Sequence, residues 1–209
     1  IVCDNTRRLM SCLYSVWYGE PHKKLKMIGV TGTNGKTSVS RLIYEMLSRA
    51  GRKCALVGTV GCKTHLREIS RKNSDPNANM TTPDPEQLFA ILREAVDDGC
   101  EYAVMEVTSH ALHFDKVAPI TFDVGIFTNL SEDHLDYHKD MSEYVDAKAN
   151  IFLNQTSADK LIVNKDNNIT AAFEGKQPGS IEFFSRKYSD TEAYLEDNYL
   201  CYKGKKYVH

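Results

Sequence analysis

The 209 residues contain no CxxC pair, no long unbroken apolar run and no large surplus of charge of either sign. Without CxxC spacing, the six scattered cysteines (Cys3, Cys12, Cys54, Cys62, Cys100, Cys201) suit the reduced thiols of a cytoplasm better than structural zinc or a secreted disulfide framework. A membrane-spanning helix needs roughly 18 or more apolar residues in a row, and none is present, so no membrane partner is expected. Lys and Arg number 26 against 28 Asp and Glu, a net charge of -2 that offers no bulk attraction to nucleic acid or an anionic surface. Any phosphate binding must therefore be local. The chain opens on IVCDNTRRLM, with neither an initiator Met nor a basic-then-apolar leader, as expected of a segment cut from a longer protein.

What is present is an alternation of strand and helix patterns. Leu9, Met10, Leu13, Val16 and Trp17 recur at helical spacing before Gly19 and Pro21 break the pattern. KMIGV then predicts a strand, 37–50 a helix stopped by Gly51, and CALVGTV a second strand: a βαβ unit. DPEQLFAILREAVDDG predicts a helix with Asp84 as N-cap and Pro85 at its first position. YAVMEV, FDVGIF and LIVN have the short apolar form of buried strands. MSEYVDAKANIFL predicts another helix, capped by Asp140. The tail, SIEFFS and AYLEDNYLCYKGKKYVH, predicts short antiparallel strands with a hairpin around 203–206. The expected fold is α/β: a P-loop-type, mostly parallel sheet with helices on both faces and a small antiparallel element near the C-terminus.

The sharpest local signal is Val30-Thr-Gly-Thr-Asn-Gly-Lys-Thr-Ser38, between an apolar strand and an amphipathic helix. Gly32 and Gly35 let the backbone curl so that its N–H groups and the helix N-terminus face a phosphate. Lys36 adds a point charge and Thr37 a hydroxyl for Mg²⁺, with Thr33, Asn34 and Ser38 completing the cradle. The general GxxxxGK[ST] pattern places Gly where this chain has Val30, so Gly32 must supply the turn.

The compact TGTNGKTS form resembles the Mur ligase family. MTTPDP (80–85), MEVTSHAL (105–112) and FTNLSEDHLDYHKDMSEYVDAK (127–148) follow in the order and approximate spacing of its UDP-N-acetylmuramoyl-tripeptide synthetases. The resemblance spans 24–168 and implies three domains in the whole protein: a UDP-binding domain ending at residue 23, a central ATPase domain over 24–209, and a C-terminal amino-acid-presenting domain beyond it. It implies an ATP-dependent amide ligase that adds the third amino acid, diaminopimelate or lysine, to UDP-muramoyl-dipeptide through an acyl phosphate. The same resemblance implies a monomeric bacterial cytoplasmic enzyme with ATP and Mg²⁺ as cofactors.

Matching motif to motif, Glu106 would hold magnesium with Thr37, and His134 would hold a second magnesium. His134 and His138 also have the spacing of a zinc pair, a rival reading without a third ligand. Lys148 falls where the family lysine reacts with CO₂ to become a carbamate, which turns a cation into an oxygen ligand suited to Mg²⁺. Thr81, Thr82, Thr108, Ser109, Lys116 and Asn129 would contact the muramoyl-peptide; capping of the next helix is the alternative for the threonine pair, and turn stabilisation for Asn129. Phe114 and Lys116 stand where relatives often carry Gln and Arg, and a lysine cannot make the two-pronged contact to a carboxylate. Asn164 and Asp166 are candidates for the neighbourhood of the adenosine. Other functions remain open: a folylpolyglutamate or cyanophycin synthetase, a nucleotide switch lacking its DxxG and NKxD motifs, or a silent nucleotide-binding module.

Overall fold

β1 (Lys26–Thr31) has buried side chains at every position after Lys26. A strand with both faces covered needs such a run, because helices on either side leave no face for polar residues. In the computed structural model, which describes residues 3–70, 80–130, 149–152, 154–167 and 179–208, β1 pairs in parallel with β5 (Tyr102–Glu106) on one side and β6 (Val124–Phe127) on the other. β2 (Cys54–Gly58) pairs in parallel with β5, and β7 (Lys160–Asn164) with β6.

Among the described residues these strands and six more, β3 (Gly61–Lys63), β4 (Glu68–Ile69), β8 (Ser180–Ser185), β9 (Ala193–Glu196), β10 (Tyr199–Tyr202) and β11 (Lys205–Val208), form one eleven-stranded sheet in the order β11-β10-β9-β8-β7-β6-β1-β5-β2-β3-β4. β3 and β4 form an antiparallel edge beyond β2 that the sequence pattern did not suggest. At the other edge the expectation needs correction. β8 runs parallel to β7, and β9 parallel to β8. β10 runs antiparallel to β9, and β11 antiparallel to β10, closing the expected hairpin across Lys203 and Gly204. SIEFFS thus extends the parallel sheet.

Helices cover both faces. α2 (Lys36–Arg49) packs Val39, Ile43 and Leu47 against Ile28, Val30, Leu56 and Val104. α3 (Pro85–Asp97) buries Leu88, Phe89, Ile91, Leu92 and Ala95 against Met27, Ala103 and Met105 on the opposite face. Full burial of each large apolar side chain contributes about 1.5–3 kcal/mol, which makes this helix face a principal anchor of the sheet. β1 serves both layers because successive side chains, Met27 and Ile28, point to opposite sides.

α1 (Thr6–Trp17) is packed with its serines inward. Ser11 and Ser15 are buried, whereas Met10, Leu13, Val16 and Trp17, the last 82% exposed, face outward. The Ser11 hydroxyl donates to the Lys116 carbonyl at 2.8 Å, an approach that a bulkier residue would block. Of the predicted 141–153 helix, only its end lies within the described residues, where Asn150–Phe152 form a 3₁₀ turn.

Candidate functional site

The C-terminal ends of the parallel strands share one edge of the sheet, where open α/β folds collect ligand groups. β1 runs into the loop at Gly32, β5 ends on Glu106, β6 leads to Thr128 and Asn129, and β2 ends at Gly58. The strand order reverses at β1, since β5 lies on one side of it and β6 on the other, and the glycine-rich loop rises at that crevice.

Gly32 has φ +140 and Gly35 φ +84, both outside the range comfortable for other residues. A Cβ on Gly32 would also strike the Thr128 hydroxyl. The loop is held from β6: Asn129 Oδ1 accepts the Asn34 N–H at 2.9 Å, its Nδ2 donates to the Asn34 carbonyl at 2.9 Å, and its own carbonyl accepts the Thr33 N–H at 2.9 Å. The Thr128 hydroxyl reaches the Asn34 carbonyl at 2.7 Å. Asn129 therefore acts on the loop itself, and Thr128, which the sequence reading passed over, joins it.

Lys36 Nζ donates to the Gly32 and Thr33 carbonyls at 2.9 and 2.8 Å, placing its charge inside the loop. Gly35 is the N-cap of α2 and has no side chain with which to cap it. A glycine N-cap with an ammonium held in the loop is the arrangement in which a bound phosphate completes the helix end.

Thr37 and Glu106 meet. The Thr37 hydroxyl donates to Glu106 Oε2 at 2.8 Å, and Glu106 is 1% exposed. Such a carboxylate and hydroxyl, beside a phosphate cradle, form the hard-oxygen donor set that Mg²⁺ favours. Thr59 donates its N–H to Glu106 Oε1 at 2.9 Å, and its hydroxyl lies 3.1 Å from Oε2. The sequence reading missed Thr59, although its place just past a parallel strand was a usable signal. Gly58 is shaped by the same carboxylate, for a Cβ there would run into it.

Thr82 does not cap α3. Its hydroxyl donates to the Glu106 carbonyl at 3.0 Å and accepts the Thr108 N–H at 3.1 Å, locking the TTP segment onto the end of β5. Thr108 caps α4 (Ser109–His113) by accepting the Ala111 N–H, with Ser109 buried beneath. Asp84 occupies the N-cap position of α3, but its side chain makes no cap bond and instead pairs with Lys116 Nζ at 2.6 Å.

Lys116 is 8% exposed and borders a cavity of about 550 Å³, lined also by Arg7, Met80, Asp84, His110 and Phe114. The Arg7 guanidinium lies 3.9 Å over the Phe114 ring. Burial, followed by the charge of Lys116, holds the His110 imidazole below its ordinary pKa. Asn164 donates to the Thr128 carbonyl at 2.9 Å, and Asp166 accepts the Arg186 N–H at 3.0 Å, so both tie β6, β7 and β8 together beside the loop. His134, His138 and Lys148 lie outside the described residues.

The sequence profile of the Mur ligase middle domain matches residues 30–207. The UDP-N-acetylmuramoyl-L-alanyl-D-glutamate–2,6-diaminopimelate ligase of Bacillus licheniformis is 40% identical over 179 residues, 83% of this chain and 35% of its own length. The ligase of the same name from Corynebacterium glutamicum is 43% identical over 168 residues, 79% of this chain and 31% of its own. A solved structure under that name superposes with a TM-score of 0.78 at 29% identity, over 94% of this chain and 40% of that one. A Mycobacterium tuberculosis folylpolyglutamate synthase shares the fold, with a TM-score of 0.69 at 19% identity over 90% of this chain and 48% of its own. The chain thus spans about a third of the length of the curated relatives it matches.

Proposed function

This chain belongs to the Mur ligase family, and from that premise we propose that it is the nucleotide-binding centre of an ATP-dependent ligase joining diaminopimelate or lysine to UDP-N-acetylmuramoyl-L-alanyl-D-glutamate. The observation that carries the reading is the Thr37–Glu106 contact of 2.8 Å beside the Gly32–Ser38 loop. Relatives named as diaminopimelate ligases at 40% and 43% identity favour that amino acid. In this reading residues 1–23 end a uridine-binding domain and 24–209 form the central domain of a bacterial, cytoplasmic, monomeric enzyme. No described helix is long and apolar enough to cross a membrane.

Amide formation in water requires the substrate carboxyl to be activated, here by transfer of the γ-phosphoryl group of ATP to give an acyl phosphate that the amine attacks. The protein's part is positioning and charge stabilisation. The loop amides and Lys36 hold the phosphates. Thr37 and Glu106 would hold Mg²⁺, which neutralises developing phosphoryl charge when bound. Thr81, Thr108, Ser109 and Lys116 orient the muramoyl-peptide, and Thr82 serves it indirectly by holding the TTP segment on the end of β5. Because Asp84 already pairs with Lys116, the lysine offers a single-point contact within a neutralised pair. His134 and Lys148, the latter as a carbamate, are assigned to a second magnesium by their motifs alone.

Calorimetric titration with a non-hydrolysable ATP analogue and Mg²⁺ tests the nucleotide site. Loss of a charged hydrogen-bonding group should weaken binding in Lys36→Ala by about tenfold to a hundredfold; equal affinity in the two proteins would sink the assignment. For Lys148→Ala in the full-length gene product, small carboxylic acids should restore turnover if a carbamate is the missing group, whereas recovery with amines alone would reject it.

A further inference from the structure

Glu106 is gripped from two sides at the end of β5. Thr37 in α2 supplies one hydroxyl at 2.8 Å, and Thr59, in the turn after β2, supplies both its N–H at 2.9 Å and its hydroxyl at 3.1 Å. The end of β2 is shaped around this carboxylate, since Gly58 leaves the room and Thr59 the donors. Thr59 is itself exposed, so core packing does not account for it.

The Thr59 oxygen also lies 3.0 Å from the Thr81 hydroxyl oxygen. A threonine hydroxyl has one proton, and a carboxylate can only accept. Between a carboxylate and a neutral hydroxyl the carboxylate takes that proton, because charge-assisted hydrogen bonds are roughly twice as strong as neutral ones. The remaining contact must then be made by the Thr81 proton, directed at Thr59. Thr81, only half-buried, is left with accepting capacity on its oxygen.

We propose that Thr59 is a positioning residue that links the two halves of the site: it orients Glu106 toward the cation position and, through the same hydroxyl, sets Thr81 as an acceptor for an N–H or O–H of the UDP-muramoyl-dipeptide. A cation at that position needs the oxygen of Thr37 and not its proton, which leaves Thr59 as the hydroxyl that still donates to the carboxylate. The inference rests on the ligase reading and deepens it by assigning the sense of one substrate hydrogen bond.

The test uses the full-length gene product with Thr59→Val, Thr59→Ser, Thr81→Val and the Val–Val double variant. Binding of UDP-muramoyl-dipeptide is measured by calorimetry without nucleotide, and Mn²⁺ affinity in the presence of a non-hydrolysable ATP analogue. Loss of one or two hydrogen bonds predicts that Thr59→Val weakens each about tenfold at unchanged melting temperature, while Thr59→Ser retains both. Thr81→Val should weaken dipeptide binding about tenfold alone but less than about threefold on top of Thr59→Val, since the two hydroxyls act as one chain. Wild-type affinities in Thr59→Val, or effects of the two substitutions that multiply, would overturn the proposal. A wild-type protein that takes no UDP-muramoyl-dipeptide would overturn the ligase reading and the Thr81 assignment with it, while the Mn²⁺ measurement still decides whether Thr59 holds Glu106.

Discussion

The Thr37 hydroxyl donates to the Glu106 carboxylate across 2.8 Å, joining the first turn of α2 to the end of β5. These residues are 69 positions apart, and the contact exists because β1 and β5 are parallel neighbours with Val30 opposite Glu106. Sheet register therefore sets the geometry of the proposed cation site, and a one-residue slip would turn Glu106 to the other face.

Glu106→Gln keeps the shape of this contact and removes the charge. Loss of a charged ligand should weaken Mg²⁺-dependent binding of a non-hydrolysable ATP analogue by about tenfold to a hundredfold. Binding in the presence of a chelator should be unaffected. Titrations at several Mg²⁺ concentrations separate the two, and an equal loss with and without metal would place Glu106 outside cation binding.

Gly58→Ala tests the same carboxylate from its other side. The new Cβ would meet the carboxylate of a residue that is 1% exposed, so either β2 or Glu106 must shift. Overpacking of this kind costs about 1–3 kcal/mol, visible as a lower denaturation midpoint. Metal-dependent nucleotide affinity should fall as well. A stable variant with unchanged Mg²⁺ dependence would show that the carboxylate has more freedom than its contacts suggest.

The parts of the fold that were legible in the sequence are those whose physics is local. The phosphate loop declared itself because a buried strand, two glycines, Lys36 and an amphipathic helix coincide within a few residues. Strand direction is different: SIEFFS has the same pattern whether parallel or antiparallel, and only its pairing within the folded sheet shows it running parallel to β7. α1 shows helical spacing, but its apolar ridge faces outward because Ser11 and Ser15 make the close contacts. Asp84 has the identity and position of a cap, yet its carboxylate goes to Lys116, 32 residues onward, as an ion pair that no local pattern encodes. Thr59 lies in the turn that follows a strand, without any motif of its own. Only the convergence of strand ends on one edge gives it a role.

Stability should depend on pH through His22, which is 5% exposed, packs edge-on against Phe89 and has Ser15 3.4 Å from Nδ1. Burial, then the nearby charge of Lys23, lowers its pKa from 6.5 to about 4, with Glu20 and the Pro119 backbone opposing only in part. The unfolded chain therefore takes up this proton near pH 6.5, whereas the folded chain resists it until about pH 4. The stability attached to the neutral imidazole is complete above pH 6.5, is lost progressively as pH falls toward 4, and amounts to about 2–3 kcal/mol after allowance for solvent screening. His22→Gln removes the titrating group and should lower stability at neutral pH while flattening the decline between pH 6.5 and 4. Carboxylates also titrate in this range, so the quantity to read is the difference in unfolding free energy between the two proteins, from urea denaturation at half-unit pH steps. A difference that stays constant across the window would show that His22 is protonated in the fold as readily as in the unfolded chain.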